Sequence, residues 1–395
     1  MIDIKQTVEQ LSDYCVQNNF AGYDPYDALN SPILRKLSFG NKYLRIAFTQ
    51  AMRRLPINLR PLLGVPKDYN PKGLGLFVWG YSKLYAHEKN VEHLVQIEKL
   101  MELLDGCKTE MGLDTGLRRY DSGAGHGWGY NFDWQSKAFF VPKYTPTVVN
   151  SSFIGHALLD TWHYTGLVKA KEMAIPIGNF ILQDLHRLEE EGTLCFSYTP
   201  IDYYFVHNAN LLGASLLIRL YKETGNEEFR KTALTALAYS MKHQLADGSW
   251  FYAEKDVSHW IDSFHTGFNL QAIKYFLDLG FAEKYKIQFE NGVRFYAEQF
   301  FLTDGTPKYY HDHIYPIDIH SPAMAVVFFS GMGKKYADLT EKTLNWMIKN
   351  MRGPTGAFYF QKHRCYTNRI PYMRWGQAWA FHALTEYLHN LNNIK

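Results

Sequence analysis

Cysteine is scarce: four residues in 395, Cys15, Cys107, Cys195 and Cys365, widely separated and without a C-x-x-C pair. That spacing argues against a disulfide framework or a zinc knuckle as the basis of the fold. No apolar run approaches the roughly 18 residues of a membrane span. The amino-terminal MIDIKQTVEQLSDYC is amphipathic and lacks the apolar core of a signal peptide. Charge of one sign is also scarce, since 42 Lys+Arg against 39 Asp+Glu leave only +3. Nucleic acid is therefore not expected as a partner. These absences point to a cytoplasmic protein with no transmembrane segment.

Aromatic residues, by contrast, are abundant at 16%, with 9 Trp, 28 Tyr and 26 Phe. That is more ring than a core needs, so part of it is expected to line a groove. The stretch Gln244–Gly280 shows how the rings are deployed. It holds an Asp247-Gly248 turn, an extended aromatic piece (Trp250, Phe251, Tyr252) and an amphipathic helix. In the helix Phe264, Phe268, Ala272 and Tyr275 recur at the three-to-four spacing of one buried face.

The unit recurs. First helices are expected from near Lys72, Thr147, Val206, Ile261, Ile317 and Arg374, spaced by about 55 to 60 residues after the first interval. Second helices are expected at 91–106, 168–185, 227–244, 281–300 and 334–350. Each is followed by a glycine turn and an aromatic strand-like piece, as in ADGSWFYAE and TDGTPKYYH. The first helices are apolar nearly all round, as helices covered on both sides must be. The pattern predicts an all-α fold, an (α/α)6 toroid over 71–395 with short β-hairpin-like rim loops. Residues 1–70, with helices at 2–18 and 41–54, pack on the barrel in one structural domain. The loop FAGYDPYDALNSP (20–32) reads as a packed surface loop.

Over roughly residues 70–390 this arrangement resembles the alpha/alpha toroid superfamily. It includes glycoside hydrolases, uronate-acting lyases and epimerases, and terpenoid cyclases with protein prenyltransferases. Gln244-Leu-Ala-Asp-Gly-Ser-Trp250 is similar to the structural Q-x-x-x-G-x-W motif of squalene and hopene cyclases. The catalytic D-x-D-D of those cyclases is missing.

Parallel inner helices would bring their N-termini, with free N–H groups and partial positive charge, to one mouth. Asn150, His207, Asp262, Asp318 and Arg374 are then expected around one cavity, with Asn208, His265, His320 and Trp375 beside them. Each Asn or Asp would serve equally as a helix cap. The histidines at three successive starts are not explained by capping, and a neutral imidazole is favoured there. The glycine-rich segment GLRRYDSGAGHGWGYNFDWQ (116–135) reads as a rim loop over the mouth. It offers Arg118, Asp121 and His126, with Trp128 and Trp134 for stacking on sugar faces. The bland alternative is an ordered loop whose rings pack on the barrel.

Two chemistries fit. Asp133 with Asp262 or Asp318 could form a glycosidase carboxylate pair. Alternatively Tyr204, Tyr310 or His207 could abstract a proton from a uronate, with Asn208 or an arginine neutralising its carboxylate. Catalytic roles are assigned to Asp133, Asp262, His207 and His265, and the remaining residues named here bind substrate. HDHIYPIDIH (311–320) invites a metal reading through His311 and His313, but no cysteine is well placed, and neither metal nor cofactor is expected. The expectation is a carbohydrate-active enzyme for an acidic glycan, acting in bacterial surface-polysaccharide metabolism. A terpenoid or prenyl-type enzyme and a non-catalytic glycan-binding toroid are the alternatives.

Overall fold

The computed structural model describes residues 2–110, 125–137 and 139–394. Three helices come first: α1 (Ile4–Gln17), α2 (Pro32–Leu37) and α3 (Lys42–Arg54). Five helical hairpins follow. They are α4 (Pro71–Glu88) with α5 (Val91–Gly106), α6 (Val148–Thr165) with α7 (Val168–Gln183), α8 (His207–Thr224) with α9 (Glu227–Lys242), α10 (Ser263–Asp278) with α11 (Lys286–Gln299), and α12 (His320–Ser330) with α13 (Ala337–Met351). A turn of π-helix, Met373–Ala378, leads into α14 (Trp379–His389) and the short α15 (Leu391–Ile394).

Helices α4, α6, α8, α10, α12 and α14 each pack against the next, and α14 packs back on α4, so the inner ring closes. Each of the first five has its hairpin partner outside, and α1 packs on α14 as the sixth outer helix. Burial follows from this. Helix α4 is buried at every position from Pro71 to Leu84, whereas outer α5 buries only Ile97, Leu100, Met101 and Leu104. Starts and stops are encoded locally. Asn70, Thr147 and Asp262 cap first turns through their side-chain oxygens, and Gly166 and Gly225 end α6 and α8 in left-handed conformations. The architecture is the all-α toroid expected, with short two- and three-stranded sheets at its rim.

The aromatic pieces work as struts between units. Near five of the six inner-helix starts a backbone N–H donates to a carbonyl in the aromatic piece of the following unit. The pairs are Val148 to Tyr198 (3.0 Å), His207 to Tyr252 (3.2 Å), Ser263 to Tyr309 (2.9 Å) and Ile319 to Phe360 (3.1 Å). The fifth strut is Met373 to Tyr23 (3.1 Å). The loop 20–32 is therefore the last rim piece of the ring, not a passive surface loop. Its sequence lacks the glycine-turn signature, because it follows α1 across the chain terminus. Among the described residues no helix is long and apolar enough to cross a membrane.

Candidate active site

The inner-helix N-termini surround a cavity of about 230 Å³. The rim struts give it Tyr26, Tyr198, Tyr252, Trp260, Tyr309 and Tyr310; the 130–134 segment adds Tyr130, Phe132 and Trp134. Burial holds the hydroxyls of Tyr198, Tyr252 and Tyr309 well above the usual phenol range, so near neutral pH they are uncharged donors.

Two histidines face this cavity, His265 on α10 and His320 on α12. Asp262 positions the first. Its Oδ1 accepts the backbone N–H of His265 (3.0 Å) as a helix cap, and its Oδ2 accepts Nδ1–H of the same residue (2.6 Å). A carboxylate only accepts, so Nδ1 carries a proton, and in the neutral ring Nε2 is the nitrogen with the lone pair. His320 is held by stacking. Its ring lies on Trp375 at 4.0 Å and 9°. The Trp375 indole N–H donates to Asp318 (2.8 Å), which also accepts the His320 backbone N–H (3.0 Å). Neither ring nitrogen of His320 has a partner among the described residues. Burial, with the Lys72 and Arg374 charges next, holds His320 well below the usual imidazole range, so it is neutral. Phe264 sits between the two rings, 4.4 Å from His265 and 5.2 Å from His320.

Of the residues singled out in the sequence, Trp134, Asn208, Asp262, His265, Tyr310, His320, Arg374 and Trp375 line this cavity. Others do not. Asp318 is fully buried beneath Trp375, also accepting from Gln361 (2.7 Å). Asp133 accepts the backbone N–H of Lys143 (2.9 Å). Hence only Asp262, of the three carboxylates weighed for a glycosidase pair, reaches the cavity. His207 is buried with Nε2 on Glu254 (2.7 Å) and Nδ1 on Ser240 (3.2 Å), tying the start of α8 to α9. Asn150 is buried inside α6, and the Tyr204 hydroxyl pairs with Ser258. Trp128 is fully buried and donates to the carbonyl of Leu104 (2.8 Å), and His126 meets the carbonyl of Met173 (3.1 Å). Arg118 and Asp121 lie outside the described residues. His311 contacts the carbonyl of Ile261 (3.4 Å), and His313 pairs with Asp312 (2.7 Å).

Sequence reasoning missed Lys72, which lines the cavity from the first turn of α4. A signal existed: a cation in a helix's first turn opposes the macrodipole and calls for a reason. It also missed Asp24, which takes the Arg374 guanidinium in a bidentate, buried pair (2.6 and 2.8 Å). No local pattern could join residues 350 positions apart.

A larger cavity of about 370 Å³ lies at the C-terminal ends of the inner helices, beyond Phe153, Phe268 and Trp379. Its charged residues are paired: Lys83 with Glu386 (2.9 Å), Asp160 with Arg219 (2.5 Å) and Lys274 with Asp278 (2.7 Å). We place the candidate site in the smaller cavity because, among the described residues, the ring nitrogens of His320 and the ammonium of Lys72 have no such partner there.

No family model matches the chain, and no curated protein sequence matches it. Solved structures do match its fold. A cellobiose 2-epimerase from Bacillus thermoamylovorans superimposes with a TM-score of 0.62 at 13% identity, covering 82% of this chain and 90% of that one. A GH76 α-mannanase from Bacteroides thetaiotaomicron gives 0.59 at 13%, covering 84% and 89%. A D-mannose isomerase gives 0.59 at 11%, covering 82% and 86%. At these identities the likeness is one of fold, the alpha/alpha toroid.

Proposed function

We propose that this toroid is a carbohydrate-acting enzyme that moves a proton at a sugar carbon, as an epimerase or isomerase does. One observation carries the reading: two imidazoles, His265 held by Asp262 and the neutral His320, face one aromatic cavity in which Asp262 is the sole lining carboxylate among the described residues. Hydrolysis by the usual route needs two carboxyl groups flanking the scissile bond. Proton transfer at carbon needs a base and an acid with pKa values near the working pH, which imidazole supplies. His265 Nε2 would remove the proton next to the open-chain carbonyl, while Asp262 stabilises the imidazolium that forms. The buried tyrosine hydroxyls would donate to the developing enolate oxygen. For isomerisation the His265 imidazolium would return its proton to the neighbouring carbon; for epimerisation a solvent proton relayed through neutral His320 would reach the opposite face, while His265 releases its own to solvent. Two of the similar folds are a 2-epimerase and a sugar isomerase, which supports this chemistry over a terpenoid or non-catalytic reading. The α-mannanase keeps hydrolysis as the second reading.

Incubation of the protein in D2O with a panel of neutral and acidic reducing sugars tests it. Proton NMR is expected to show loss of the signal next to the carbonyl and growth of an epimer or ketose. Release of new reducing ends from a glycan, with no deuterium in any product, would overturn the reading in favour of hydrolysis.

A further inference from the structure

Four Lys or Arg residues are buried among the described residues: Arg60, Lys72, Lys83 and Arg374. Three have carboxylate partners, Arg60 with Asp27 (2.6 Å), Lys83 with Glu386 (2.9 Å) and Arg374 with Asp24 (2.6 Å). Among the described residues Lys72 has none, nor any hydrogen bond from its ammonium. It is 4% exposed, and its Nζ rests over the rings of Phe153 (4.0 Å), Trp379 (5.3 Å) and Phe268 (5.4 Å) at the floor of the candidate cavity. Aromatic faces attract an ammonium but cannot accept its three N–H donors as oxygen does. Placement in the first turn of α4 adds the repulsion of the helix dipole. The groups nearest in charge are Arg374, which repels it, Asp24, already spent on Arg374, and His320. Burial first, and Arg374 second, hold its amine well below the usual lysine range. An amine kept unpaired here lacks one thing, an anionic oxygen supplied from the cavity.

We infer that Lys72 is the recognition point for an anionic group on the substrate, making the natural substrate an acidic monosaccharide unit, a uronate or a sugar phosphate. The inference rests on the sugar-binding reading above and names the substrate class for that site. Among the described residues the lining arginine, Arg374, does not supply this recognition, because it is already neutralised by Asp24. The cavity is smaller than the roughly 300 Å³ at which drug-sized sites begin, which suits a single sugar residue. An arriving carboxylate or phosphate restores the ammonium, so binding takes up a proton.

Isothermal titration with D-glucuronate, D-glucose 6-phosphate and D-glucose, in Pipes and in Tris, tests this. Wild-type protein is expected to bind at least one of the two anionic sugars about tenfold or more tighter than glucose, with proton uptake revealed by the difference between buffers. Which anion wins separates the carboxylate from the phosphate. K72M is expected to lose about 30-fold or more for that anion, to keep its weak affinity for glucose, and to lose the proton uptake. An unchanged thermal midpoint, or a raised one, is expected of unliganded K72M, since a buried amine without an oxygen partner has been removed. Binding of glucose as tight as that of both anions, or an anion preference that survives in K72M, would overturn the inference. Should K72M fail to fold, K72Q read in the same titration decides by the same criteria. The two readings fail separately. Lys72-dependent anion binding without deuterium exchange sinks the epimerase reading alone, and exchange into neutral sugars independent of Lys72 sinks this inference alone.

Discussion

Asp262 has two duties that one substitution separates. As an N-cap it accepts the backbone N–H of His265, a task asparagine performs about as well. As a charge it fixes the tautomer of the His265 ring, which asparagine cannot do for an imidazolium. D262N is therefore expected to keep its thermal midpoint within a few degrees while kcat falls by about 10²–10⁴, the range of a positioned acid–base group. H265A should lose a comparable factor, and the double variant little more, because the two act as a unit. Both effects are read from turnover of whichever sugar exchanges deuterium. Far from the site, His382 lies buried against Trp79, 4.4 Å between ring centres, and burial pushes its pKa down to about 4. The unfolded chain binds a proton there at about 6.5, so below that pH it holds more protons than the folded state. Stability from this group is complete above 6.5 and falls as pH drops toward 4, by about 2 kcal/mol at pH 5. Urea melts at pH 7 and pH 5 should show that loss in the wild type and a shallower slope in H382Q.

Among the elements, the turn after α9 shows what its glycine is for. Gln244 donates from Nε2 to the carbonyls of Gly248 (2.8 Å) and Gln288 (3.0 Å), and Trp250 donates to that of Ser240 (2.8 Å). The turn thus ties α9 to α11, the structural role its likeness to the Q-x-x-x-G-x-W motif implies. Gly248 has φ +95°, and a Cβ there would stand 2.6 Å from the backbone of Asn291. At Gly166, which ends α6 with φ +76°, a Cβ would meet nothing within 4 Å. G166A is expected to cost about 1–2 kcal/mol from backbone conformation alone. G248A should cost clearly more, since the clash is with backbone that cannot swing aside. Calorimetric midpoints of the two variants side by side check the difference.

Over the whole molecule, the ring is closed by the chain's own beginning. Helix α1 covers α14, Tyr23 accepts the backbone N–H of Met373, and Asp24 neutralises Arg374. A toroid with one segment missing exposes the flanks of two apolar inner helices at once. Deletion of residues 1–30 should therefore abolish a single cooperative thermal transition rather than release a stable smaller barrel. L11A, at a fully buried position of α1, is expected to cost about 2–5 kcal/mol. Circular dichroism melts and size-exclusion chromatography test both.

The periodic sequence by itself determined the six inner helices, their caps and stops, and the shared mouth at their N-termini, because helical spacing and capping are local properties. It also marked Asp262, His265, His320 and Trp375, which stand in or beside those first turns. Where a side chain points in the ring, however, depends on which neighbours meet it. His207 and His265 occupy equivalent-looking helix starts, yet Glu254 and Ser240 draw the first toward α9 while the second opens on the cavity. Asp318 reads as a mouth carboxylate, but the indole of Trp375 covers it and turns it into a support for His320. The partnership of Asp24 with Arg374, and the lack of a partner for Lys72 among the described residues that it leaves, exist only once the ring closes. Closure brings together charges from opposite ends of the chain, and no periodicity records which of them will be left without a partner.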